Sequence, residues 1–271
     1  SRSLVPVYSR KGDLLESHPF LINAAGIGAR TGQGPLGRAE AMIVVRSVND
    51  AAFQEPPGTG TGRPAGERTD QLSSDAGLDL MWTGDRRDNP RRPTTGFAWS
   101  ITTVAPLAGS RRAAVATADV ALHVPLLAAR GVTAAFLGRA ADAQRDRPLP
   151  VDRWSEPGAW WEAPGMLPGR GLSPSVRRGT LLLRGTVGSF AATTVYVGAS
   201  AATWKLGSTR VDPDLPRTGH GLSIFAEAYY GRYGPFTLGM TWGSLKSNTV
   251  FVLASPFRAP WPGPRIQVPG H

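Results

Sequence analysis

The sequence contains no cysteine, and this absence removes several kinds of protein at once. Disulfides, cysteine-ligated zinc, iron–sulfur clusters and thiol catalysis are all excluded. The four histidines leave little material for an all-histidine metal site, so we expect neither a metal nor a cofactor. No run of about 18 apolar residues occurs, so no transmembrane helix is expected. A membrane β-barrel is harder to exclude, because the sequence signal of each of its strands is weak.

Charged residues are also scarce, at 18% of the 271 residues. Glycine and proline are abundant instead: 33 glycines and 24 prolines make up about 21% of the chain, where about 12% is usual. This composition predicts a fold that is rich in turns and extended segments and poor in long helices. The length suits one large domain or two small ones, and a chain of this size can fold without covalent staples.

The apolar pattern predicts a β-rich α+β fold. Runs typical of strands recur at roughly ten-residue spacing between 180 and 254, and further runs lie between 96 and 124. This spacing indicates an antiparallel β-sandwich or a barrel-like sheet. One or two helices are expected near 126–147, where apolar residues recur close to helical spacing and Arg145 and Arg147 precede Pro148.

We expect a single β-rich domain over residues 1–254, followed by an arm. Long loop excursions interrupt the predicted domain at 50–95 and at 148–178, where proline and glycine are frequent. Residues 255–271 carry five prolines, which predicts an extended arm with little internal hydrogen bonding.

No motif in the sequence assembles a convincing catalytic set. Gly26, Gly28 and Gly32 are spaced one residue too widely for a dinucleotide fingerprint, and an ordinary glycine loop is favoured. His220 and Ser223, with Asp212 or Asp214, lack the pattern of a serine hydrolase. We therefore predict that the chain is not an enzyme.

Tryptophan is concentrated in one segment, which suggests anchors for a loop or an interface. Trp154, Trp160 and Trp161 surround two acidic residues, Glu156 and Glu162. Tryptophan beside carboxylates is also found in sugar sites, so a carbohydrate-binding module stays open as an alternative. Anchoring of the loop to a neighbouring surface is the favoured role. The predicted interface or ligand anchors are Trp154, Trp160, Trp161 and Trp261.

Basic residues outnumber acidic ones by 10, and 27 of the 30 basic residues are arginine, since only Lys11, Lys205 and Lys246 are lysines. A GC-rich genome explains such a bias, but the charge still attracts polyanions. Arginine doublets suit contact with phosphate backbones. The candidate polyanion contacts are Arg86, Arg87, Arg91, Arg92, Arg111, Arg112, Arg177 and Arg178.

These features together favour a structural protein of an assembled particle, namely a viral capsid or capsid-associated protein. Its partners would be copies of itself or other shell proteins, with non-specific nucleic acid as a further partner and no span of a membrane. Its location would be the virion or the cytoplasm, with secretion left open. The alternatives are a β-sandwich binding module that uses the segment from Trp154 to Trp161, an enzyme with an unrecognised site, and a membrane barrel or nucleoprotein.

Overall fold

The structure is a computed structural model, and it describes residues 2–8, 14–50, 71–89, 93–109, 113–144, 155–158, 162–164, 166, 171–190, 193–208, 215–230, 236–244 and 249–254. The described chain forms twelve strands in one sheet. They are β1 (Arg2–Tyr8), β2 (Leu14–Arg30), β3 (Arg38–Asp50), β4 (Gln71–Asp85), β5 (Gly96–Gly109), β6 (Val115–Leu127), β7 (Val132–Ala143), β8 (Val176–Phe190), β9 (Thr193–Leu206), β10 (Thr218–Tyr230), β11 (Phe236–Gly243) and β12 (Thr249–Ala254).

Each strand pairs with the strands that precede and follow it along the chain. The spatial order is the sequence order from β1 to β12, and every pairing is antiparallel. Most of the strands are long: β8 has 15 residues and β9 has 14, against a usual length of about 5–6. The sheet is therefore a simple meander of long hairpins.

One face of this sheet is buried, although the described residues form no second sheet and no helical layer to cover it. Along β8, buried Arg178, Thr180 and Leu182 alternate with exposed Leu181 and Leu183 or with glycine. A flat sheet would expose both of its faces to a similar extent. The sheet must therefore curl, so that side chains of strands on opposite sides of the curl cover one another on the concave inner face.

The predicted sandwich and the predicted helices are wrong, and only the β-rich character is confirmed. Residues 126–147 contain the end of β6, a single 3-10 turn at Ala128–Arg130, and β7. Gly131 ends the turn with φ 60, a left-handed conformation that favours glycine. Alanine is the best helix former and is depleted in strands, so the local propensity of this stretch favoured a helix, and the pairing of β6, β7 and β8 overrode it.

About half of each predicted loop excursion lies outside the described residues, as does the whole arm, and the domain boundary stays a prediction. Within the excursion at 50–95, residues 51–70 lie outside the described part, and β4 occupies Gln71–Asp85. The excursion at 148–178 ends in β8, which begins at Val176. The arm at 255–271 lies wholly outside the described ranges. In those ranges no helix is long and apolar enough to cross a membrane.

The assignment of β7 as a strand predicts opposite roles for two adjacent residues. Leu137 is 1% exposed on the inner face, whereas Phe136 is 51% exposed on the other face. We expect Leu137→Ala to lower the free energy of unfolding by about 2–5 kcal/mol, as for other buried leucines. Phe136→Ala should cost less than half as much. Denaturant titration of the two refolded variants measures both values, and equal costs would contradict the alternation in β7.

Candidate functional site

The inner face of the sheet carries most of the buried charge of the described chain. On β3 and β4, Arg46 forms ion pairs with Asp75, at 3.5 Å, and with Asp79. On β6 and β7, Arg139 Nε lies 2.9 Å from an Asp119 carboxylate oxygen. These side chains are largely buried, so their desolvation must be offset by pairing across neighbouring strands. Ion pairs between neighbouring strands thus hold the charged side chains of the inner face.

A second polar cluster lies on the inner face of β8, β9 and β10. Arg184 Nη1 lies 3.7 Å from Glu227 Oε2, and the two side chains are only 3% and 7% exposed. The Arg184 guanidinium also stacks over the Tyr196 ring, 4.0 Å from its centroid. Tyr196 in turn meets the Tyr229 ring edge to face at 5.5 Å. The cation is therefore held by an anion and an aromatic face together.

The connection between β7 and β8 folds back onto this inner face. We call its described residues 155–158, 162–164, 166 and 171–175 the docked loop. Ser155 and Ser173 exchange two backbone hydrogen bonds of 3.0 Å, which close the loop on itself. The Ser173 hydroxyl then accepts a hydrogen bond from the Gly207 amide at 3.1 Å, which ties the loop to the end of β9.

Two inner-face arginines and a threonine bind the docked loop. Arg178 Nη1 donates to the Pro157 carbonyl at 2.5 Å and lies 2.7 Å from Glu162 Oε2. The Thr180 hydroxyl donates to the Glu162 carbonyl at 2.5 Å. Arg139 Nη1 donates to the Glu156 carbonyl at 3.0 Å. The arginines thus satisfy loop carbonyls that burial would otherwise leave without donors.

Apolar contacts complete the docking. Ala163 and Met166 of the loop join one buried cluster with sheet residues that include Trp204 and Leu206. Gly158 has φ 143, and a Cβ at this position would collide with Arg178 Nη1 and the Glu162 side chain. The loop and the β8 side chains therefore meet without spare volume. In this arrangement the loop fills the inner space beside β7 to β10.

The structure places the predicted arginine contacts in different environments. Arg86 Nη2 donates to the Pro35 carbonyl at 2.5 Å, and Arg87 binds the Asp85 carboxylate through two nitrogens. Arg177 is exposed and pairs with Asp142 at 3.2 Å, whereas Arg178 is buried against the docked loop. The two described doublets thus lie at opposite ends of the sheet and do not form one patch. Arg91, Arg92, Arg111 and Arg112 lie outside the described residues.

The other predicted site residues are also dispersed. Glu156 and Glu162 both belong to the docked loop. Ser223 is buried on the inner face, 2.7 Å from the Ser200 hydroxyl, and His220 is exposed on the opposite face. Gly26 and Gly28 lie in strand β2 rather than in a loop. Asp212, Asp214 and the four predicted anchors Trp154, Trp160, Trp161 and Trp261 lie outside the described part of the chain.

The inner-face ion pairs were missed by the sequence reasoning, although a signal for them exists. In β6, Thr117, Asp119 and His123 occupy alternate positions with apolar residues between them. In β8, Arg178, Thr180 and Arg184 do the same. A charge that recurs with a period of two in an otherwise apolar strand marks the polar face of that strand.

Comparison with known proteins identifies the fold and nothing finer. No protein-family model matches the sequence, and no curated protein matches it. Among solved structures, the fold is similar to the crystal structure of BamA from Haemophilus ducreyi lacking POTRA domains 1-3, with a TM-score of 0.68 and 12% sequence identity. The similarity covers 89% of this chain and 55% of that one, so this chain spans about half the length of the BamA chain.

This likeness contradicts the expected function and location. The sheet is similar in fold to BamA and not to a capsid sandwich, so the prediction of a viral capsid or capsid-associated protein is wrong. The expected locations in the virion or the cytoplasm fail with it. The misleading features were the turn-rich composition and the strand spacing, which are shared by many antiparallel folds.

The docked loop generates a prediction for two adjacent arginines. Arg178→Ala removes the donor to Pro157 and the partner of Glu162, so we expect the loop to detach from the inner face. Cleavage by chymotrypsin between residues 144 and 175 should then become at least about tenfold faster, which corresponds to about 1.4 kcal/mol. Arg177→Ala is the matched control, because its side chain lies on the other face. Equal cleavage rates in the two variants would contradict the docking role.

Proposed function

We propose that this chain is a membrane-inserted β-sheet protein of the outer-membrane β-barrel class, with its outer face in contact with lipid. The observation that carries the proposal is the reversed polarity of the sheet. Arginine, aspartate, glutamate, serine and threonine share the buried inner face with apolar residues such as Leu137 and Trp204, while large apolar side chains are exposed on the other face. A water-soluble sheet with one buried face has the opposite arrangement. In a bilayer the exposed apolar face is the favourable one.

The exposed apolar residues form a continuous band that extends over many strands. They include Ile27, Ile43, Val45, Leu80, Trp82, Phe97, Ile101, Val120, Leu122, Val124, Leu126, Phe136, Leu181, Leu183, Val197, Leu222, Ile224, Phe236, Leu238 and Met240. Water-soluble proteins rarely expose contiguous apolar patches larger than a few hundred Å². We define the outer face as the face that carries this band.

Charge on the outer face is confined to one end of the strands. From β3 to β11, the outer positions whose side chains the structure describes carry charge only at Asp142, Arg177 and Lys205. Each of these residues is one position from the end of its strand, beside a connection to the next strand. A charge at the bilayer midplane costs about 2–4 kcal/mol for arginine or lysine and much less near the interface. The distribution of outer charge therefore matches a bilayer.

The backbone also meets the requirement of a bilayer. In lipid, every backbone amide and carbonyl must be satisfied within the protein, because no water is available. Strands β2 to β11 are each hydrogen-bonded on both sides by their chain neighbours. Their lengths reach or approach the 9–11 residues that a tilted strand needs to span the hydrocarbon core, since β11 has 8 residues and β8 has 15.

The connections between strands differ in length at the two ends of the sheet. At one end they have at most 10 residues, at 31–37, 86–95, 128–131, 191–192 and 231–235. The other end has five-residue connections at 9–13, 110–114 and 244–248, and it also has the three longest connections, at 51–70, 144–175 and 207–217. Outer-membrane barrels have short periplasmic turns and longer extracellular loops. We therefore assign the short-turn end to the periplasmic side.

An aromatic cluster at the short-turn end supports the placement of that end at a membrane–water interface. Trp99 stacks on Phe97 at 5.3 Å and meets Trp82 edge to face at 5.7 Å. The Trp82 indole donates to the Leu36 carbonyl at 2.7 Å, in the turn between β2 and β3. An outward ring with its polar N–H at a strand end is the arrangement that membrane interfaces favour. The similarity to BamA, an outer-membrane β-barrel protein, supports the same proposal.

In this proposal the docked loop narrows the interior from the long-connection side, and no catalytic activity is assigned to the chain. The interior beside β7 to β10 is occupied by the loop and by the paired charges of Arg178 and Arg184. The proposed role is therefore insertion in a membrane around an interior that holds the docked loop and the paired charges.

The proposal is tested by insertion into vesicles. We expect the full chain, refolded from denaturant with lipid vesicles, to float with them and to resist extraction by alkaline carbonate. Leu183→Arg, at mid-depth, should destabilise the folded protein in the bilayer by about 2–4 kcal/mol. Thr203→Arg, near the strand end, should destabilise it by only about 0–1 kcal/mol. Denaturant titration in vesicles measures both costs. A chain that stays in solution, or equal costs for the two arginines, would overturn the proposal.

A further inference from the structure

An apolar groove of about 780 Å³ lies on the outer face of β8 to β11 and extends to Leu126 of β6 and Val132 of β7. Its walls include Leu183, Val197, Ile224, Leu238 and Met240. The strand registers place Leu183, Ala199, Ile224 and Met240 in one row across these strands. This volume falls in the range of small-molecule sites, about 300–1,000 Å³. The groove is thus large enough to hold part of a long apolar ligand.

Basic residues occupy the same strands at the end of the long connections. Arg177 on β8 and Lys205 on β9 are direct partners in the register, and both are exposed on the outer face. Asp142 neutralises part of this charge, because its carboxylate pairs with Arg177 at 3.2 Å. A third cation, the exposed Arg217, lies just before β10 at the same end of the sheet. Its position is fixed by its backbone carbonyl, which accepts a hydrogen bond from the Leu206 amide at 2.7 Å. The described residues of this edge therefore carry an excess of positive charge.

The distance between the basic edge and the groove matches one leaflet of a bilayer. Lys205 and Ala199 are six residues apart on β9, which is about 20 Å along the strand. A strand tilted by about 45° descends roughly 14 Å over that length. Half of a hydrocarbon core of about 30 Å is about 15 Å. A headgroup at Lys205 would therefore place the end of its acyl chain in the groove.

From this geometry we propose that β8 to β11 hold a lipid with an anionic phosphate headgroup at a defined site on the outer face. Lys205 and Arg177 bind the phosphate, with Arg217 adding to the attraction. One acyl chain runs over Leu181, Ala201 and Leu222 and ends in the apolar groove. Charge complementarity selects a lipid whose phosphate headgroup is net negative over a zwitterionic phospholipid, because only the former has net negative charge to match the edge. This inference rests on the proposed insertion of the sheet in a membrane.

The experiment uses the full chain inserted in vesicles that contain equal amounts of phosphatidylglycerol and phosphatidylcholine. After extraction into a mild detergent, native mass spectrometry counts the lipids that stay bound to each protein molecule. We expect one retained phosphatidylglycerol and at least a tenfold lower retention of phosphatidylcholine. Lys205→Gln should reduce the retained phosphatidylglycerol about tenfold. Ala199→Phe should do the same by filling the groove without any change of charge.

Two matched controls separate the site from general effects. Arg130→Gln removes an exposed cation at the short-turn end, and Ala41→Phe adds a ring to the outer face of β3. Both controls should retain the lipid as the unchanged protein does. Equal retention in Lys205→Gln, Ala199→Phe and the controls would overturn the lipid site while leaving insertion intact. A chain that fails to enter the vesicles at all would instead overturn the proposed function, and the lipid site with it.

Discussion

The pairing of opposite charges on the inner face is the interaction on which the rest of the structure depends. A sheet that presents apolar side chains to the outside must turn its polar ones inward, where they lose water. Arg46, Arg139, Arg178 and Arg184 each meet a carboxylate on another strand or on the docked loop. Removal of one partner from such a pair leaves a buried charge and costs more than the pair contributes. The pairs therefore fix which strands must be neighbours across the inner surface.

The sequence predicted the strands far better than it predicted their arrangement. The runs at 96–104 and 180–187 became parts of β5 and β8, because alternation and turn residues are local signals. Alternation cannot say which of the two faces is buried, however. The strand spacing predicted a sandwich or a barrel-like sheet, and the capsid prediction added the loop excursions, the proline-rich arm and the basic charge. The exposed fractions of residues such as Leu181 show that large apolar side chains lie on the exposed face.

The docked loop shows a second limit of sequence reasoning. Its clustered tryptophans suggested anchors, and its two glutamates suggested a sugar site. In the described part of the loop, docking depends on the backbone carbonyls of Glu156, Pro157 and Glu162 and on the Glu162 carboxylate. Carbonyls are present at every position and carry no sequence signal. Their partners Arg139 and Arg178 lie on different strands, so only the register brings them to the same loop.

The meander has a consequence for how such a chain can change in length over evolution. Each strand is hydrogen-bonded only to the strands before and after it in sequence. Duplication or loss of one hairpin would therefore alter the circumference of the curled sheet while every remaining pairing kept its partner. Sheets whose strands cross over lack this freedom, because removing one strand breaks contacts between distant parts of the chain. Growth by whole hairpins is accordingly the simplest route by which this architecture acquires a wider or narrower interior.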